Sequence, residues 1–356
     1  MELQLKEFSA ALGLLKPAID KNSKMEFAKC FMFYPDKVMA YGNEMLISIK
    51  NPYEVKGMVK ADALLAFLKK IKGEKVELGV ADGDLTVTLG KEKAGFRLVD
   101  LPEYGFTGIF DGYEKAKKKA KAIPEGLVEA MKLAAFCTAP NSNYPNYRSV
   151  YVKDGYVNTT DGYRIYRNAL ETAAGLPEFL LPANTCKVLE SEIVSEILVS
   201  GEENANFIYF TGEDYFLAAE LPDSLINTYP DVEGVMRQFL KGDSVKTVDM
   251  SLPDGLFEAL EKAKSFLTDT IDILDQQVDI EIKKGRILVK GQGLDSWYKG
   301  SVSVKDYTGP DLVFSANPHF MADILPNVNR LTVSERGLCF SGEKFDYCFA
   351  RKEQKK

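Results

Sequence analysis

The stretch Asn158-Thr159-Thr160-Asp161-Gly162-Tyr163-Arg164-Ile165-Tyr166-Arg167 lies near the middle of the chain, and both flanks are arranged around it. Asp161-Gly162 is a tight-turn signal. The run Ser149-Val150-Tyr151-Val152 before it, and the aromatic and β-branched run after it, read as strands. A polar turn that presents Arg164 and two tyrosines between strands is compatible with catalysis, with ligand binding or with a plain hairpin.

The chain has 356 residues, room for two or three domains of about 100–150 residues with real cores. No run of about 18 apolar residues marks a membrane span. Met1-Glu2-Leu3-Gln4-Leu5-Lys6 lacks a signal-peptide pattern. Five cysteines, Cys30, Cys137, Cys186, Cys339 and Cys348, are scattered without a Cys-x-x-Cys. The expectation is therefore no disulfide framework, no thiolate metal site, and a reduced, cytoplasmic chain. The net charge of −7 is uneven, with about 0 over residues 1–112, about +4 over 113–122, about −10 over 123–240 and about −1 over 241–356. An acidic chain contacts nucleic acid only where basic groups gather on one surface.

Taken in order, Glu7–Ile19 shows helical spacing at Phe8, Leu12, Leu15 and Ile19, with Pro17 kinking or ending it. Strand-like runs lead to a second helix at Ala61–Ile71, whose Lys69, Lys70 and Lys72 suit a helix C-terminus. Further strands close at Leu101-Pro102. The same order returns with helices at Pro124–Phe136 and Asn184–Val194, and again at Leu252–Leu267 and Pro318–Leu325. Strand-to-helix junctions recur at Gly57-Met58-Val59-Lys60-Ala61, Phe179-Leu180-Leu181-Pro182-Ala183 and Val313-Phe314-Ser315-Ala316-Asn317. Repetition of this length predicts three similar α+β domains, 1–114, 115–240 and 241–356, each with helices on one face of antiparallel sheet. The boundaries fall near the Lys115–Lys121 run, read as a connector, and near Gly242-Asp243-Ser244.

With Thr160-Asp161-Gly162-Tyr163-Arg164-Ile165 at its centre and Phe179-Leu180-Leu181-Pro182 before a helix, this threefold repeat resembles the beta sliding clamps of bacterial DNA polymerase III. Thr160-Asp161-Gly162-Tyr163-Arg164-Ile165 is close to that family's Thr-Asp-Gly-His-Arg-Leu. In matching order come Phe96-Arg97-Leu98…Leu101-Pro102-Glu103…Phe106, Phe179-Leu180-Leu181-Pro182, Leu221-Pro222-Asp223, Tyr229-Pro230-Asp231 and Asn317…Phe320-Met321-Ala322-Asp323-Ile324-Leu325. The resemblance implies a DNA clamp fold, closing as a head-to-tail homodimer into a ring, with helices lining the hole and antiparallel sheets outside. It implies a processivity factor that encircles duplex DNA without sequence preference and tethers a DNA polymerase. An ATP-driven clamp loader would place it on DNA.

The chemistry of the residues agrees with a non-enzymatic role. The chain holds one histidine, His319, so a Ser-His-Asp triad or a two-histidine metal site could draw only on that one, and the resemblance places it in a pore-lining helix rather than in a catalytic group. There is no Gly-x-x-x-x-Gly-Lys-Ser/Thr phosphate loop. Gly291-Gln292-Gly293 reads as a turn. Asp269, Asp272, Asp275 and Asp279 lack the calcium-loop pattern. No cofactor and no metal are expected. An enzyme built on Asp161 and Arg164 is one alternative, and a clamp-like peptide-binding scaffold that does not close on DNA is another.

The resemblance assigns roles by position. Lys16, Lys21, Lys24, Lys69, Lys70 and Lys72 would face DNA, with Tyr144 and Tyr147 on a loop that reaches it. Glu125, Glu129, Glu190, Glu192 and Glu196 of the middle domain depart from that pattern and would weaken the grip. Phe67, Phe96 and Leu98 would meet Phe266 and Leu267 of the second copy. Thr160, Gly162, Tyr163, Arg164, Ile165, Pro230 and Val235, with Phe349 and Ala350, would line a cleft for short partner peptides. Tyr163 stands where the family has histidine. The tail Phe349-Ala350-Arg351-Lys352-Glu353-Gln354-Lys355-Lys356 replaces the family's Met-Pro-Met-Arg-Leu ending, which fits a divergent clamp, such as one encoded by a bacteriophage.

Overall fold

The computed structural model describes residues 1–42, 44–103, 106–199, 207–221, 228–239, 246–249, 252–267, 272–304, 307, 309–325 and 328–352. The helices among them are α1 (Leu5–Leu15), α2 (Ala61–Leu68), α3 (Thr107–Ala116), α4 (Leu127–Ala134), α5 (Ala183–Val188), α6 (Val232–Phe239), α7 (Asp254–Ser265) and α8 (Pro318–Ile324). The chain falls into two compact units, Met1–Glu129 with Phe179–Ser224, and Ala130–Glu178 with Leu225–Lys356. The halves of the middle sequence repeat thus go to different units. The expected boundary at Gly242-Asp243-Ser244 lies outside the described residues.

In the first unit, an antiparallel sheet of eight strands runs in the order 57–60, 30–33, 37–42, 45–50, 215–220, 207–211, 196–199 and 121–122. The strand 45–50 pairs with 215–220, placing Ile47 opposite Leu217. Cys30–Phe33 and Met45–Ile49 are apolar at almost every position because both faces of the sheet are covered. Side chains alternate between the faces. Phe33 shares one face with Tyr53 and, through it, with Phe8 of α1. Met32, Met39, Leu46 and Tyr209 face the other way, against Phe110 and Tyr113 of α3. α1 buries Leu5, Phe8, Leu12 and Leu15 and gives way to a 3-10 turn at Lys16–Ala18, where Pro17 was expected to break it. A smaller sheet holds strands 2–4, 75–81, 84–89 and 92–97, and Glu92–Arg97 is its edge.

The second unit repeats the plan. Its strands run 149–153, 156–160, 164–169, 345–350, 337–341, 330–333 and 246–249, with 164–169 paired to 345–350. α6 packs on one face of this sheet through Val232 and Met236. A four-stranded sheet, 297–303, 286–292, 278–283 and 312–316, carries Trp297–Ser303 at its edge.

Several elements escape the sequence reading, among them the short strands 121–122, 156–160 and 246–249, two helices and an edge strand. α3 contains Gly108 and Gly112, and α6 contains Gly234, so both score poorly as helices and form because their aromatic or aliphatic side chains cover sheet. The edge strand Trp297–Ser303 carries Gly300 and three serine or lysine positions in solvent, which blurs its strand signal. The helix expected over Asn184–Val194 stops at Val188, where Leu189 turns extended. The cysteine expectation also needs correction. Cys339 and Cys348 stand opposite each other on strands 337–341 and 345–350, with Cα atoms 4.2 Å apart, and form a disulfide. Hairpin register brings them together, and a separation of nine residues does not announce it. Cys30, Cys137 and Cys186 are free and buried.

Candidate functional site

The turn that opens the sequence argument is built by its own side chains. Asp161 Oδ1 accepts hydrogen bonds from the amides of Tyr163 and Arg164, each at 2.9 Å. Thr160 Oγ1 accepts from the Gly162 amide at 3.0 Å and donates to the Arg164 carbonyl at 2.8 Å. Gly162 has φ +92°, a conformation that favours glycine. The Asp-Gly pair therefore sets the hairpin between strands 156–160 and 164–169.

Beyond the turn, consecutive strand residues part company. Arg164 points to one face, where its side chain is only 11% exposed. Its Nε donates to Asp161 Oδ2 at 2.7 Å and its Nη2 to the Phe136 carbonyl at 3.2 Å. Its Nη1 donates to Asp323 and to the Tyr347 hydroxyl, and the guanidinium lies 4.8 Å from the Phe320 ring centre. Phe349, opposite Arg164 in the register, is fully buried against Phe320, Phe340 and Tyr347. Both residues expected to line the cleft are thus an internal clasp and its core. Ile165 points to the other face, 7% exposed, opposite Cys348 and beneath Val232 and Met236 of α6. Strand alternation decides this, because a period of two sends neighbours to opposite sides.

The residues that can meet a ligand on the Ile165 face are those at the margin of α6. Val235 is 37% exposed, Pro230 is half-buried, and Ala350 is exposed beside Gly337. Tyr163 stands out in solvent and Thr160 is buried. Next to them, Tyr151, Lys153, Tyr156, Asn158, Arg167 and residues 229–233 line a cavity of about 320 Å³. Arg167 lies 3.8 Å over the Tyr156 ring and pairs with Glu233 at 2.9 Å. Lys153 pairs with Glu178 at 3.3 Å. Tyr229 donates to the Asn158 carbonyl at 3.3 Å, and burial pushes its phenol well above the usual range, so it stays a neutral donor. The sequence reading did not single out Arg167. Its place two residues after Ile165 on one strand was the available signal.

The remaining expected residues lie where their own elements put them. Lys16 and Lys69 cap the C-termini of α1 and α2, and Lys24, Lys70 and Lys72 are exposed. Lys21 pairs with Asp62 at 2.6 Å. Tyr144 is exposed and meets Tyr147 edge-on at 5.9 Å. Tyr147 also packs on Gly162. The Phe67 and Phe96 rings meet at 5.7 Å, with Leu98 half-buried one residue beyond the edge strand Glu92–Arg97. Phe266 lies 5.8 Å from Tyr298 of the edge strand 297–303, whereas Leu267 is 1% exposed and belongs to its unit's interior. Glu125, Glu129, Glu190, Glu192 and Glu196 are all exposed. His319 Nε2 shares a hydrogen bond with Gln276 Oε1 at 2.8 Å, and burial, helped by Lys264, lowers its pKa. Among the described residues no group of three or more histidine, cysteine, aspartate or glutamate side chains is placed to hold a metal ion. Burial raises the thiol pKa of Cys137 and Cys186, which leaves neither as a nucleophile.

No family model matches the sequence, and no curated protein matches it. Solved structures do. A DNA polymerase III beta subunit from Thermotoga maritima superposes with a TM-score of 0.75 at 17% identity, covering 99% of each chain. The chain has the fold of the DNA polymerase III beta subunits. The beta subunit of Streptococcus pyogenes gives 0.75 at 15% identity over 99% of each chain. That of Pseudomonas aeruginosa gives 0.73 at 14%, covering 99% of this chain and 100% of its own. At such identities the clamp fold survives through burial pattern and register, while most side chains have changed.

Proposed function

We propose that this protein is a DNA sliding clamp, a processivity factor that encircles duplex DNA and tethers a polymerase through a docking wall beside α6. The end-to-end match to DNA polymerase III beta subunits, over 99% of both chains, carries the reading. Three domains of the kind read from the repeat, two copies per ring, and head-to-tail closure belong to the same proposal. The edge strands Glu92–Arg97 and Trp297–Ser303 support it, because each ends a four-stranded sheet and would be covered by joining the other across a subunit contact. Phe67, Phe96 and Leu98 on one side and Phe266 with Tyr298 on the other supply the apolar part of that contact. Exposed lysines at the ends of α1 and α2 would meet phosphates as point charges. The clamp works by topology, so it needs no catalytic group.

The docking wall consists of Pro230, Val235 and Ala350, with Ile165 packed behind them under α6 and Thr160 and Gly162 shaping the turn. The exposed glutamates of the middle repeat favour a loose hold on DNA, which suits sliding. The alternative, a peptide-binding scaffold that never closes on DNA, is separated by one measurement. Primer extension on a long circular template, with the polymerase and loader from the same source, should give longer products when this protein is present. Unchanged product length, together with a monomer at micromolar concentration, would overturn the clamp reading.

A further inference from the structure

The docking reading makes no use of Cys339 and Cys348, yet they lie directly beneath its wall. They face each other across two antiparallel strands with Cα atoms 4.2 Å apart, joined through their sulfurs. Both are buried, in one cluster with Ile165, Val232 and Met236, against which Tyr229 and Phe239 also pack. Val232, Met236 and Phe239 belong to α6. The helix that presents Val235 therefore rests on the two sulfurs.

We propose that Cys339 and Cys348 form a redox staple that sets how firmly α6 seats on its sheet, and through α6 regulates the docking wall. Only the regulatory consequence rests on the docking reading; the staple itself does not. Bonded sulfurs sit about 2.0 Å apart, and two thiols must separate to non-bonded contact. That added volume enters a cluster already filled by Ile165, Val232 and Met236. Overfilled cores relax by moving neighbouring groups. The element packed over the sulfurs, and so the one that takes up the displacement, is α6, which has eight residues and includes Gly234.

Reduction by a dithiol balances as follows. One reagent thiolate attacks a protein sulfur, and the protein S–S bond breaks. The second reagent thiolate then attacks the reagent sulfur of the mixed disulfide, closing the reagent ring and releasing the second protein sulfur as a thiolate. Two electrons and two protons pass to the protein, which ends with two thiols, and the reagent ends as a cyclic disulfide. Because both sulfurs are buried, the reagent reaches them when the packing over them opens, and α6 is part of that packing. Seating of α6 and the state of the staple are therefore coupled in both directions. In a reducing compartment the pair rests as thiols and closes under an oxidant such as a small disulfide.

The test uses the full-length protein in three forms: equilibrated with oxidised glutathione, treated with dithiothreitol, and as a C339A/C348A double variant. Thiol titration in denaturant should count three thiols in the first form, from Cys30, Cys137 and Cys186, and five in the second. Amide hydrogen exchange over residues 232–239 should be about tenfold faster after reduction, and in the double variant should not respond to dithiothreitol. Five thiols in both forms, or equal exchange in both, overturns the staple. Retention of the polymerase on the immobilised protein gives the second arm. Weaker retention after reduction supports regulation, and equal retention despite changed exchange overturns it. Changed exchange with no retention in either form sinks the docking reading and leaves the staple standing.

Discussion

Arg164 shows how one side chain changes meaning once its surroundings are known. As a sequence feature it was a candidate catalytic or ligand-binding cation. In the structure its guanidinium ties Asp161, Asp323, Tyr347 and the Phe136 carbonyl together on the interior face of the second unit. Removing it leaves the nearly buried Asp161 carboxylate without its cation. Arg164→Ala should lower stability by about 3–5 kcal/mol, read from urea unfolding, and Arg164→Lys should recover little because the fork is lost. His319 gives a pH prediction of definite sign. Burial holds its folded pKa below the ordinary value of about 6.5. As pH falls, the unfolded chain binds the proton first, so this contribution to stability is present above about pH 6.5 and is lost below it. His319→Gln should flatten the decline in urea midpoint between about pH 7 and pH 5 relative to the parent protein. A parallel decline in both proteins would refute the assignment.

At the scale of elements, α6 separates two substitutions that the sequence alone treats as equivalent. Ile165 lies under the helix and Val235 stands at its open margin. Ile165→Asp buries a charge beneath α6 and should lower the unfolding midpoint as well as polymerase retention. Val235→Asp should lower retention by at least about tenfold with stability unchanged to about 0.5 kcal/mol. Equal stability losses in the two variants would show that α6 is core packing alone. α6 and α3 were also the elements least legible in the sequence. Gly234 in one, and Gly108 and Gly112 in the other, depress local helix preference, and both helices depend on the sheet beneath them.

For the whole molecule, the proposed ring depends on the two sheet edges. Phe96 lies on the edge strand Glu92–Arg97 with its ring against Phe67. In the proposed ring it would lie at the subunit contact. Phe96→Asp should convert a dimer to a monomer in sedimentation experiments at micromolar concentration and remove any gain in primer-extension length. A Phe96→Asp protein that still sediments as a dimer would move the contact elsewhere.

The sequence by itself determined the α+β class, the recurrence of strand-to-helix junctions and the tight turn at Asp161-Gly162. These are local properties, since apolar periodicity and turn chemistry are written in neighbouring residues. Only the tertiary structure decided which side of the sheet each residue of Thr160–Arg167 serves. It sent Arg164 and Phe349 inward, set Ile165 against Cys348, and brought Arg167 to the cavity beside residues 229–233. It also paired Cys339 with Cys348 and regrouped the halves of the middle repeat into different units. Strand register between segments far apart in the chain fixes these outcomes, and a one-residue slip would reverse every face.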